Sequence, residues 1–280
     1  MDNRIAHPLV EHVIVDDIAD VVRLDASPEG VIVVTLQRPA EHKALDALAI
    51  EGLAEAFETL HGAEGVRIVF LRGAEGVFGG GLDRAQLTVT SEVWTEEDVR
   101  RDAAAAGRLL SAVAATPAVT VAIAEGPIRS LGVGLVAACD MALARYDAMF
   151  ALPEVKLGLL PATIAPYLMR AIGPRQAQAL CAFGRSFDAA EALRIGLVQE
   201  VVESAADLDH AMDRLIDWAM TSAPQAVAEL KTLVAEVAYK PLDHALTESL
   251  AQRCAARWVS PEALEGVAAY LERRKPQWAR

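Results

Sequence analysis

Three short apolar runs constrain this chain most: Val31–Leu36 (VIVVTL), Val66–Leu71 (VRIVFL) and Val119–Ala124 (VTVAIA). Apolar residues fill nearly every position in them rather than every second one. That pattern predicts strands of a substantially buried sheet. A fourth run, Met141–Ala144, reads the same way, and Ala19–Leu24 pairs with 31–36 across a turn at Ser27-Pro28-Glu29-Gly30. Helical spacing starts at about Asp46, where Leu48, Leu53, Ala56, Phe57 and Leu60 recur. An alanine-rich helix over about 95–115 stops before Pro117, and Leu135–Cys139 reads as a buried helix. Strands alternating with helices predict an α/β fold.

From about Pro174 onward the pattern is wholly helical: 174–183, 188–195, 205–221, 223–238, 241–258 and 260–273. The expected division is a core over 1–200 and a helical, oligomerising region over 201–280. Leu208, Met212, Leu215, Trp218 and Met220 stripe one of these helices with more apolar surface than one sheet edge should cover. A second copy of the chain is the expected cover.

Charge then limits the partners. Lys and Arg number 26 against 39 Asp and Glu, a net charge of −13. A surface of that sign repels phosphate backbones, so nucleic acid is not an expected partner. An anionic ligand must be met by local cations or backbone amides. The three cysteines, Cys139, Cys181 and Cys254, are far apart and form neither a disulfide framework nor a metal set. No pair among the six histidines has metal-ligand spacing, so no metal is expected. No apolar run approaches the roughly 18 residues that span a bilayer. A reducing, cytoplasmic setting without membrane attachment is the expectation.

Two glycine-containing loops follow strands, at Gly76–Asp83 and Ser130–Gly134. Glycine removes the Cβ obstruction, so such loops can bring backbone amides against a ligand. Glu154 is a carboxylate in apolar company, behind Pro153 and among Phe150, Leu152 and Val155. Such a setting suits a proton shuttle near neutrality.

Four stretches in order resemble the crotonase (enoyl-CoA hydratase/isomerase) superfamily. Leu36-Gln37-Arg38-Pro39 with Ala44-Leu45-Asp46 is similar to N-R-P…N-A-L-N, and Phe78–Asp83 (FGGGLD) to F-S-A-G-A-D. Gly126-Pro127 with Gly132–Asp140 (GVGLVAACD) is similar to G-P…G-G-G…A-C-D, and Phe150–Pro161 to F-x-x-P-E-x-x-L-G-L-x-P. Ser260-Pro261-Glu262 with Tyr270–Pro276 (YLERRKP) matches the ending S-P-E…F-x-E-K-R-K-P. Within the superfamily, Gly158–Tyr167 (GLLPATIAPY) resembles bacterial methylglutaconyl- and isohexenylglutaconyl-CoA hydratase-like members.

The resemblance implies a spiral of ββα turns, a helical trimerisation region, and an acyl-CoA substrate of fatty acid or branched-chain metabolism. It implies a homotrimer or dimer of trimers, and no cofactor beyond the coenzyme A that belongs to the substrate. Carried over residue by residue, it makes Glu154 the catalytic acid and base. The backbone N–H groups of Leu82 and Leu131 become the oxyanion hole, the donors that hold a thioester oxygen as it takes up negative charge. Lys43, Ala44, Leu45, Gly80, Tyr270 and Arg273 take positions that bind coenzyme A, the last two often from a neighbouring subunit. Two departures matter. Ser130 and Leu131 stand where the family has glycines, and Gly134 stands where two-acid hydratases carry a second glutamate. Water addition to a 2-enoyl-CoA is the leading expectation. Δ3-Δ2-enoyl-CoA isomerisation by Glu154 alone, and CoA-ester binding with little turnover, are the alternatives. Arg84 and Arg129, beside the two loops, can meet either a neighbouring acid or a second carboxylate on the acyl group.

Overall fold

The computed structural model describes residues 13–18, 21–37, 45–81 and 95–279. The first strands, β1 (Val13–Ile18), β2 (Val22–Ala26) and β3 (Val31–Leu36), form an antiparallel meander. Helix α1 (Ala47–Gly62) follows, its first turn capped by the Asp46 side chain, which accepts from the Ala49 N–H at 2.9 Å. Three turns of one pattern come next. Strand β4 (Ile68–Gly73), the two-residue β5 (Gly79–Gly80) and α2 (Glu96–Ala115) make the first. Strands β6 (Val119–Ala124) and β7 (Pro127–Arg129) with α3 (Leu131–Ala138) make the second. Strands β8 (Met141–Arg145) and β9 (Met149–Ala151), a 3-10 turn at Glu154–Leu157 and α4 (Ala165–Phe183) make the third. The chain ends with β10 (Ser186–Asp188), α5 (Ala189–Ile195), β11 (Glu200–Val202), α6 (Ala205–Thr221), α7 (Pro224–Val237), α8 (His244–Trp258) and α9 (Pro261–Glu272).

The first strand of each turn joins one sheet and the second strand joins another, which is what makes the path a spiral. The large sheet runs β1-β2-β3-β4-β6-β8-β11 and is parallel from β3 onward. The small sheet runs β10-β9-β7-β5, with β5, β7 and β9 parallel. An α/β spiral of ββα turns with a helical C-terminal region is therefore the observed class.

Both faces of the large sheet are buried. Ile32, Val34, Val69, Leu71 and Ala122 face a core shared with α1, α2, α3 and α4. Val31, Val33, Ile68, Phe70, Val121, Ile123 and Leu143 face Leu208, Met212, Leu215 and Ile216 of α6. The continuous apolar runs have this cause: successive residues point to opposite faces, and both faces are covered.

Three expectations need correction. The chain after Pro174 is not wholly helical, since β10 and β11 close the edges of the two sheets. Helix α4 begins at Ala165 and passes a break at Gly173-Pro174, where Gly173 has φ 76°. The apolar stripe of α6 is not surplus surface either. Leu208, Met212 and Leu215 are buried against the second face of this chain's own sheet, while Trp218 stays exposed beneath the Arg214 guanidinium. Among the described residues, no helix is long and apolar enough to cross a membrane.

Candidate active site

The two glycine loops touch backbone to backbone. In the β5–β7 pairing, Gly79 stands opposite Ile128 and Gly80 opposite Arg129. Gly80 has φ 114°, and a Cβ there would lie 2.5 Å from the Arg129 carbonyl oxygen and 2.9 Å from the Gly132 nitrogen. A Cβ on Gly132 would in turn lie 2.5 Å from the Gly79 carbonyl oxygen. Neither contact tolerates a side chain, so glycine is required for the loops to approach at all.

Beneath the first loop, the carbonyl of Glu125 accepts from the Phe78 N–H at 2.9 Å. The buried Glu125 carboxylate meets Arg72 at 3.2 Å and Arg145 at 3.3 Å. Arg145 also pairs with Asp147 at 2.6 Å. This cluster links β4, β6 and β8 at the ends that lead into the site. Nothing in local sequence pattern singles out Glu125, because its partners are distant in the chain.

The second loop turns into α3 through Ser130, a buried non-glycine residue with φ 50° and ψ −119°. Its N–H donates to the Ala151 carbonyl at 3.0 Å, and its carbonyl accepts from Val133 and Gly134. A serine in this region is strained, and such strain is held where the surroundings over-determine it. The helix then starts at Leu131, leaving the Leu131 and Gly132 N–H groups without intrahelical partners at the positive end of α3. Leu131, one of the two expected oxyanion donors, thus sits at a helix start against the first loop.

Ala151 ends β9, and three residues later Glu154 opens the 3-10 turn that Gly158 closes with φ 75°. Glu154 is only 6% exposed, and its Oε2 has no hydrogen-bond partner among the described residues. A buried carboxylate oxygen with nothing to accept from is rare in a folded protein, which makes Glu154 a candidate to act on a ligand. Its charge reaches α4: burial pushes the Cys181 thiol up, and the Glu154 carboxylate adds to that rise.

At Gly134 the wall is apolar. A Cβ built there would stand 3.1 and 3.3 Å from Cγ1 and Cγ2 of Ile164 and 3.4 Å from Cδ2 of Leu110. Ile164 and Leu110 are both buried, at 4% and 0% exposure. The space through which a second carboxylate would leave the helix is already filled.

Of the other expected residues, Gly80 lies in the meshed loops and Leu45 is buried in the core ahead of α1. Tyr270 is 83% exposed on α9, and Arg273 caps that helix with φ 55°. Among the described residues, no hydrogen bond or ion pair joins Tyr270 or Arg273 to the glycine loops. Leu82, Lys43, Ala44 and Arg84 lie outside the described residues. Among those described, no group of acids, cysteines and histidines could hold a metal.

The family described as Enoyl-CoA hydratase/isomerase matches residues 26–280. The mouse enoyl-CoA hydratase domain-containing protein 2, mitochondrial, is 31% identical over 254 residues, covering 89% of this chain and 84% of its own. A crystal structure of an enoyl-CoA hydratase from Shewanella pealeana superimposes with a TM-score of 0.87 at 30% identity, covering 92% of this chain and 96% of that one. Pseudomonas aeruginosa AtuE does so with a TM-score of 0.87 at 34% identity, covering 93% and 100%.

Proposed function

Because this chain belongs to the enoyl-CoA hydratase/isomerase family, and is on that ground an enoyl-CoA hydratase or isomerase, we propose that it adds water to a 2-enoyl-CoA thioester with Glu154 as its single acid and base. The observation that carries the reading is the buried, unpartnered Oε2 of Glu154. That oxygen accepts a proton from water as the water oxygen bonds to Cβ. The electron pair of the double bond moves through Cα onto the thioester oxygen, which the N–H groups of Leu82 and Leu131 hold. As the enolate collapses, Cα takes the proton back from Glu154. One water is consumed, the carboxylate is restored, and no resident cofactor is needed. Preorganised donors at the oxygen are worth roughly 3 kcal/mol each in such a step.

A second reading is favoured by the Ile164 wall at Gly134, which supports a site with one acid. In Δ3-Δ2 isomerisation Glu154 removes a proton from Cα and returns it to Cγ, and no water has to be held. The enzyme works as a homotrimer or dimer of trimers in the cytoplasm. Supporting the assembly, no described residue of α7 or α8 is buried, and Leu230, Val234, Trp258, Tyr270 and Leu271 are all exposed.

Crotonyl-CoA and 3-hexenoyl-CoA separate the readings, the first by hydration and the second by isomerisation. Glu154→Gln keeps shape but accepts no proton, so the active substrate should lose roughly 10²–10⁴-fold in kcat while CoA-ester affinity is retained. Unchanged turnover in the variant discards Glu154 as the proton carrier. Binding of both esters by the parent protein without turnover discards both reactions.

A further inference from the structure

Arg129 closes β7 and lies across the first glycine loop. A Cβ at Gly81 would stand 3.5 Å from its Cβ and 3.9 Å from its Cδ. Its neighbour Ile128 is fully buried, while Arg129 is exposed. Leu131, whose N–H is an expected oxyanion donor, is two residues further on. Other arginines near the site have found acids: Arg72 and Arg145 pair with Glu125, and Arg145 also with Asp147. Arg185, Arg194, Arg214, Arg253, Arg257 and Arg274 also pair with carboxylates. The Arg129 side chain, in a chain with 39 acids to 26 basic side chains, makes no hydrogen bond or ion pair among the described residues. A cation left over in so acidic a chain, and held against the loops of the site, is available to a ligand.

Resting on the CoA-thioester reading above, we propose that Arg129 is a specificity-determining residue that receives a carboxylate carried by the acyl chain of the substrate. The planar guanidinium presents two parallel donors, which fit a carboxylate better than a lone ammonium does. The chain's net charge of −13 would otherwise repel a dicarboxylic acyl group, and Arg129 offsets that at the point of contact. Coenzyme A also carries anionic oxygens, on its phosphates. The acyl carboxylate is favoured because Arg129 stands beside the thioester-holding loops, whereas the phosphates lie at the far end of the pantetheine arm.

The test is binding by calorimetry to the full-length protein, using saturated esters so that turnover plays no part. The probes are butyryl-CoA, glutaryl-CoA and glutaryl-pantetheine, the last without phosphates. Arg129→Gln should weaken glutaryl-CoA and glutaryl-pantetheine about ten- to a hundredfold, as expected for a hydrogen-bonded charge pair. Butyryl-CoA should change by less than about threefold, and Arg129→Lys should recover part of the loss. Equal weakening of both CoA esters with glutaryl-pantetheine untouched would put the anion on a phosphate and overturn the assignment. Equal weakening of all three, or of none, overturns it as well. If the parent protein binds no CoA ester at all, the functional reading itself has failed, a result distinct from a loss of acyl discrimination.

Discussion

Gly134→Ala adds one methyl group to α3, and two opposing effects can be weighed. In a helix interior alanine is favoured over glycine by about 1 kcal/mol. The new Cβ, however, would meet Ile164 at 3.1 and 3.3 Å and Leu110 at 3.4 Å. Both neighbours are buried and cannot swing into solvent. Overpacking of this kind costs about 1–3 kcal/mol, so the net expectation is a loss of about 1 kcal/mol. Ile164→Ala deletes both offending carbons and by itself costs about 2–5 kcal/mol. In that background the clash is gone and Gly134→Ala should stabilise by about 1 kcal/mol. The two effects of the same methyl thus differ by about 2 kcal/mol, well beyond the roughly 0.5 kcal/mol error of additivity. Urea unfolding of the parent, both single variants and the double variant gives the coupling directly, provided the m-values agree. Additive changes would falsify the claim that Ile164 fills the space above Gly134. Gly134→Glu alone should fold poorly, and a second acid can enter only where Ile164 has been cut back.

Two further outcomes follow from the loops and the C-terminal helices. Gly80→Ala forces a Cβ to within 2.5 Å of the Arg129 carbonyl and should part the two loops. Turnover should fall about a hundredfold, the size of one lost oxyanion donor, with a lowered melting temperature that leaves the chain folded under assay conditions; parental turnover would show that the loops need not mesh. Multi-angle light scattering at micromolar concentration should give the mass of three or six chains, and a monomer mass would remove the assembly.

The large sheet was legible in the sequence because its signal is dense: 31–36, 66–71 and 119–124 lie within two residues of β3, β4 and β6. The small sheet was not. Strands β5, β7 and β9 are two or three residues long, too short for any periodicity, and β5 consists of glycines alone. Helix α3 was read four residues late because Gly132 and Gly134 lower helix propensity while close packing requires them. At the site, Glu154 stood out through its apolar neighbours, and its burial agrees. The partner that fills the place of the second acid could not be read. Ile164 is 30 residues from Gly134, and only the fold brings them together. The same holds for Glu125 with Arg72 and Arg145.

The order of strands in the large sheet carries a consequence for how the chain is made. From β1 to β11 the spatial order is also the order of synthesis, so each new strand can add to the edge just formed as the chain leaves the ribosome. The opposite face waits longer. Phe70, Ile123 and Leu143 are covered by α6, which begins at Ala205. Arg67 donates to the carbonyls of Ala219 and Ser222 and to that of Trp278, 211 residues away. Glycine loops and Glu154 are therefore synthesised before the helix that backs their sheet. Until Ala219 is in place, a parallel strand edge and an uncovered apolar face coexist on the nascent chain. Long-range parallel pairing is slow to form, and that pair of exposed surfaces is what promotes aggregation during synthesis.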